Sequence, residues 1–275
     1  MKNKFCLLSL PLVIVGLLSS YIVFQHTQQL TLSLLLILWM STLFGTILYQ
    51  NHHYQRQLGK MLELQQASVS ALVDLARSRD DEVTGSHLHR LGFYAEILAQ
   101  DLGLSEELKE NIIKTIALHD IGKVAVPDHI LNKPGPLDAT EWAIIQQHPL
   151  VGAAVLESIP SDLAVADPSF MNYLDTAKEI ALCHHEKWDG SGYPHGLKGE
   201  EIPFSARLAA ICDVYDSLRS PRPYKKSFTH EEAVVIITSG KGTHFDPQLV
   251  NSFTRLAHRF DQVWDEQGEI MCRSS

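Results

Sequence analysis

The segment RLGFYAEILAQDLGLSEELKENIIKTIALHDIGK, Arg90 to Lys123, decides the fold class. Its apolar residues recur every three to four positions on both sides of Gly103, the spacing of two amphipathic helices split at that glycine. It closes on an imidazole and a carboxylate side by side, His119 and Asp120, with Lys123 three residues on. Further along, DATEWAIIQQHPLVGAAVLESI (Asp138–Ile159) opens with a capping region at Asp138 and Thr140 and keeps the helical spacing. IPFSARLAAICDVYDSLRS (Ile202–Ser220) and HEEAVVIITSG (His230–Gly240) continue it. Alternating strands are absent, so an all-α domain is expected, with longer loops at 121–138, 159–172, 189–203 and 219–229.

Upstream the composition changes. Phe5–Phe24 and Leu30–Tyr49 are 20-residue stretches without a charged side chain, joined by QHTQQ (Gln25–Gln29). About 20 apolar residues reach across a ~30 Å hydrocarbon core, which predicts a two-helix transmembrane hairpin over residues 1–50. Lys2, Lys4, Arg56 and Lys60 flank the spans and the connection has no basic residue. The expected location is therefore an inner (cytoplasmic) membrane, with both termini and the helical domain in the cytoplasm and the lipid bilayer as partner. A cleaved signal peptide is the rival reading, disfavoured by the length of the apolar run and the second span behind it. Residues 51–75 are expected to form a linker helix. It either pairs with a copy of itself in a homodimer or lies on its own domain. The catalytic part is expected over 76–275.

Charge narrows the partners. All 32 acidic residues but only 19 of the 23 basic ones fall in residues 61–275, which carry a net charge near −13. That excludes a nucleic-acid surface, so an anionic ligand must be held by a local basic cluster or by metal ions. Four cysteines, Cys6, Cys183, Cys212 and Cys272, lack CxxC spacing and indicate neither a disulfide framework nor a zinc finger.

Fourteen histidines are many for this length. Five polar elements interrupt otherwise apolar helical patterns: His87; His119 with Asp120; His148; the pair His184 and His185 in LCHHEK; and Asp213 in AAICDVYDSL. An unpartnered polar group there costs about 1–3 kcal/mol, and five in series point to convergence on metal. Adjacent helical residues point ~100° apart, so His184 and His185 are expected to serve different ions of a two-metal site, with Asp120 able to bridge. Imidazole and carboxylate without thiolate suit iron or manganese, with zinc as the alternative.

HDIGK (119–123), HHEKWDGSGYP (184–194), DVYDSLRSPRPYKK (213–226) and GTHFDP (242–247) resemble, in order and spacing, the motifs of the HD-GYP domain, a branch of the HD phosphohydrolase superfamily. The resemblance covers about residues 70–260. It implies an HD-type helical bundle holding metal ions and hydrolysis of cyclic di-GMP to pGpG, GMP or both. Carried over by position, the metal ligands would be His87, His119, Asp120, His148, His184, His185 and Asp213. Asp120 and Lys123 would be catalytic, and Lys123, Arg222 and Lys225 would contact substrate. The loop after the histidine pair would be a protein contact, for example for a diguanylate cyclase. Members proposed to hold a third ion carry Glu four residues before the first histidine. Val83 stands there here, with Glu82 one position further away, so two ions are expected. Another cyclic dinucleotide such as cyclic GMP-AMP as substrate, or a degenerate nucleotide receptor, are the competing functions.

Overall fold

The computed structural model describes residues 11, 13–22, 30–79, 86–159, 168–221 and 227–274. Their contacts divide the chain into two units, Met1–Ala67 and Ser68–Ser275. Among the described residues the only extended pairing is an isolated bridge between Lys241 and Phe245, so the all-α expectation holds.

In the first unit, residues 13–22 are helical. Leu30 begins a single helix of 50 residues, α1 (Leu30–Arg79). The expected second span is only its first part, where hydroxyls of Ser41, Thr42 and Thr46 bond back to the carbonyls of Ile37, Trp39 and Leu43. Beyond it the same helix carries Arg56 and Lys60. Among the described residues no helix is long and apolar enough to cross a membrane. This overturns the two-pass reading and the inner-membrane location and leaves the bilayer as partner without support, while residues 5–10, 12, 23 and 24 of the expected first span lie outside the described residues.

The second unit is built from α2 (Ser86–Asp101), α3 (Glu106–Thr115), α4 (Asp128–Leu131), α5 (Ala139–Ile145), α6 (His148–Glu157), α7 (Pro168–Cys183), α8 (Phe204–Arg219), α9 (His230–Ser239) and α10 (Pro247–Ser274). Short 3-10 turns occupy Ile116–Leu118, Ile121–Ala125 and Gly199–Glu201. The break between α2 and α3 falls where the sequence puts it: Gly103 takes φ +64, and Ser105 caps α3 by accepting from the amide of Leu108. Asp138 and Glu141 close a reciprocal capping box on α5.

The core is aromatic at its centre. Tyr94 of α2 stacks on Phe260 of α10 at 4.6 Å and meets Tyr215 of α8 edge-on at 5.3 Å, and Phe253 completes the cluster. Each such pair contributes about 0.5–1.5 kcal/mol beyond its burial. Leu91, Leu98, Ile112, Ile180 and Ile211 fill the surroundings. A smaller cluster, Leu118, Ile121, Leu156, Ala177 and Ala181, lies under the histidines and joins the 3-10 turns to α6 and α7. Gly122 makes that junction possible: a Cβ there would overlap the carbonyl of His148 and the amide of Gly152.

Candidate metal centre

Five chain segments converge on one place. His87 comes from α2, His119 and Asp120 from the turn after Ile116–Leu118, and His148 from the start of α6. His184 and His185 stand just past the end of α7, and Asp213 comes from α8. The donor atoms form two groups, each within 4.8 Å: Asp120, His148, His184 and His185 in one, His87, His119 and Asp213 in the other. All seven residues singled out from the sequence are therefore brought together.

Asp120 faces both groups. Its Oδ2 lies 3.0 Å from His119 Nε2, while its Oδ1 lies 3.2 Å from His148 Nε2 and 3.8 Å from His184 Nε2. Asp213 Oδ1 lies 3.7 Å from His119 Nε2 and 3.8 Å from His87 Nε2. The histidine pair departs from expectation. α7 ends at Cys183, so the two residues occupy the following turn, with ring centroids 4.0 Å apart, and both fall in the Asp120 group. The ~100° separation applies only to residues inside a helix.

Backbone carbonyls set the tautomers. Nδ1 of His119 bonds the carbonyl of Ile116 at 2.8 Å, that of His148 the carbonyl of Ile145 at 2.7 Å, and that of His184 the carbonyl of Ile180 at 3.0 Å. When the ring is neutral, each Nδ1 therefore carries the proton and each Nε2 lone pair points into the site. His119 Nε2, His148 Nε2, His184 Nε2 and Asp120 Oδ1 are buried without a hydrogen-bond partner. Orphaned buried polar atoms cost about 1–3 kcal/mol each; a divalent cation in the Asp120 group would satisfy three of them, and one in the His87 group would satisfy His119 Nε2. With no thiolate in either group, the donor set fits a borderline or hard ion such as iron, manganese or zinc.

The electrostatics follow the same geometry. Burial pushes His184 well below its ordinary pKa, and the neighbouring His185 adds to this. Burial likewise takes His185 down to about 4. Burial works against charge on His119 too, but Asp120 and then Asp213 outweigh it and raise its pKa to about 9. For Asp120 burial would raise the pKa, yet Lys123 and His119 hold it well below the carboxylate range. Lys123 Nζ sits 2.7 Å from Asp120 Oδ2. The turn from Ile121 to Ala125 is 3-10, so three residues complete one turn and stack Lys123 over Asp120.

Two supporting residues carry weaker sequence signals. Asp216, fully buried one turn after Asp213, bonds His87 Nδ1 at 2.6 Å and takes a fork of bonds from Arg90. Glu186 follows the histidine pair and binds the loop beyond it. Their spacing from the metal-type residues, three positions and one, was the available signal. Val83, Glu82, Arg222 and Lys225 lie outside the described residues.

Comparison with known proteins agrees with this architecture. A family model described as HD domain matches residues 69–249. A Vibrio cholerae protein named probable cyclic di-GMP phosphodiesterase is 45% identical over 219 residues, 75% of this chain and 48% of its own. A second, named cyclic di-GMP phosphodiesterase, is 43% identical over 201 residues, covering 70% and 40%. A third from the same organism, named 3'3'-cGAMP-specific phosphodiesterase 2, is 43% identical over 211 residues, covering 75% and 37%. The chain thus spans less than half the length of these relatives. The shared part is the helical unit that carries the histidines, and by it this chain belongs to the HD domain family, in the HD-GYP branch its motifs resemble.

Proposed function

We propose that this chain is a metal-dependent phosphodiesterase that hydrolyses cyclic di-GMP to linear pGpG, with GMP as the product of any second cleavage. The observation that carries the reading is the pair of adjoining donor groups with four orphaned buried atoms, in a chain whose relatives bear phosphodiesterase names.

Asp120, His148, His184 and His185 would hold one divalent ion, and His87, His119 and Asp213 a second, with Asp120 offering an oxygen to each. Iron or manganese fits the donors, and two groups support a count of two. When bound, such ions supply Lewis acidity, lowering the pKa of a water and neutralising charge on a phosphoryl oxygen. The chain's own residues do the rest. The carbonyls of Ile116, Ile145 and Ile180 keep three imidazoles in the Nε2-donor tautomer. Lys123 supplies a positive charge at the edge of the Asp120 group, where a phosphate diester would lie, and charge-assisted contact there favours the transition state over the ground state. Arg222 and Lys225 are proposed as further contacts to the dinucleotide on sequence grounds.

A second reading, hydrolysis of 3'3'-cGAMP, is favoured by the relative of that name, which matches as well as one named for cyclic di-GMP. Both are tested by incubating the full, manganese-loaded chain with each dinucleotide and resolving products by chromatography. The proposal predicts pGpG from cyclic di-GMP at a kcat/KM well above that for 3'3'-cGAMP. The reverse order selects the second reading, and turnover of neither rejects both.

A further inference from the structure

His185 differs from the other imidazoles in how it is held. His119, His148 and His184 are each clamped by an Nδ1 bond to a backbone carbonyl. Among the described residues no hydrogen bond holds the His185 ring. Besides the imidazoles of His184 and His148, its ring meets Tyr193 in a stack, centroids 4.7 Å apart and planes 22° from parallel, with the Tyr193 amide donating to the His185 carbonyl at 3.2 Å. The orientation of this ring therefore depends on where the loop carries Tyr193.

Glu186 determines that. It is 2% exposed, and its carboxylate takes three amides of one loop: His195 at 2.7 Å and Gly196 at 3.2 Å on Oε1, and Leu197 at 3.1 Å on Oε2. At its two ends the loop is tied elsewhere: the amides of Trp188 and Asp189 reach the carbonyls of His244 and Thr243, and the amide of Gly199 reaches the carbonyl of Trp188. Gly192 allows the fold-back, since a Cβ there would overlap the backbone of Glu186 and Lys187. A carboxylate is an acceptor-only group with room for several donors, so one side chain can gather three consecutive amides where a neutral amide side chain cannot.

We propose that Glu186 is a positioning residue: by holding the amides of His195, Gly196 and Leu197 it seats Tyr193 against His185, doing for that imidazole what backbone carbonyls do for His119, His148 and His184. This rests on the metal-dependent reading, since it takes His185 as a ligand.

The test uses the full chain with Mn²⁺ alone as probe, in wild type, Glu186→Ala, Glu186→Gln, Tyr193→Ala and the Glu186→Ala/Tyr193→Ala double variant, with His148→Ala marking the Asp120 group. Glu186→Ala is expected to weaken one of two Mn²⁺ sites about ten- to hundredfold, the cost typical of removing a group that orients a ligand. That site should be the one lost in His148→Ala, with the other unchanged. Amide exchange should quicken at residues 195–197 and stay slow at Trp188 and Asp189. Glu186→Gln keeps one acceptor oxygen and should fall between, and the double variant should cost no more than the larger single effect. Quickened exchange with both sites at wild-type affinity overturns the proposal, as does equal weakening of both, which is damage to the fold. Wild type binding no Mn²⁺ overturns the metal-dependent reading itself, and the inference with it.

Discussion

The carboxylate of Asp216 lies 2.6 Å from Nδ1 of His87 and is gripped from the other side by Arg90, whose Nε is also 2.6 Å away. Arg90 in turn rests on the ring of Trp264, 4.4 Å from its centroid. This chain of contacts turns Nε2 of His87 toward Asp213 and ties the metal-type residues of α2 and α8 to the C-terminal helix. Asp216→Ala removes the carboxylate from two buried groups and should cost about 3–5 kcal/mol, read from urea unfolding. Asp216→Asn, which keeps the shape, should lose less stability but still weaken metal binding.

Asp216 also gives the metal-free chain an acid limit. Burial alone would raise its pKa, but Arg90 and His87 overcome this and hold it below 3.8. Its contribution is therefore complete above the ordinary carboxylate value and is lost as pH falls through the lower folded value. Unfolding curves between pH 5 and pH 2 should show a steeper loss in wild type than in Asp216→Asn.

Metal uptake should release protons. His119 stands near 9 in the metal-free chain, so at neutral pH it must lose a proton before Nε2 can bind an ion. His185, at about 4, and His184, held lower than its ordinary value, need lose none. Affinity for Mn²⁺ is expected to climb by up to about tenfold per pH unit from pH 6 to pH 8 and to level off near 9. Titration calorimetry in buffers of different ionisation enthalpy counts the proton.

Lys123 and Gly122 separate chemistry from scaffold. Lys123→Ala should retain its metal ions yet lower kcat about 10²–10³-fold, the cost of removing one preorganised charge. Gly122→Ala should instead lower stability by about 3 kcal/mol, because α6 must move off the His148 carbonyl, and metal content should fall with it.

What the sequence revealed divides along physical lines. Residue type and spacing carried all seven metal-type residues, the break at Gly103 and the cap at Asp138, because these depend on local chemistry. The grouping of His184 with His185 was hidden, since it turns on α7 stopping at Cys183 rather than one residue later. Glu186 was hidden too, as its partners lie nine to eleven residues ahead on a loop that folds back. The membrane reading rested on two apolar runs and the basic residues flanking them, and among the described residues no helix is long and apolar enough to cross a membrane.

The proposed phosphodiesterase activity on cyclic di-GMP depends on ions held by the two donor groups. The most direct measurement is a chromatographic time course of cyclic di-GMP with the manganese-loaded full chain, beside Asp120→Asn and a chelator-treated control. The expected result is pGpG from the wild type alone. Intact cyclic di-GMP after incubation with a fully metal-loaded wild type, or equal turnover by Asp120→Asn, would contradict it.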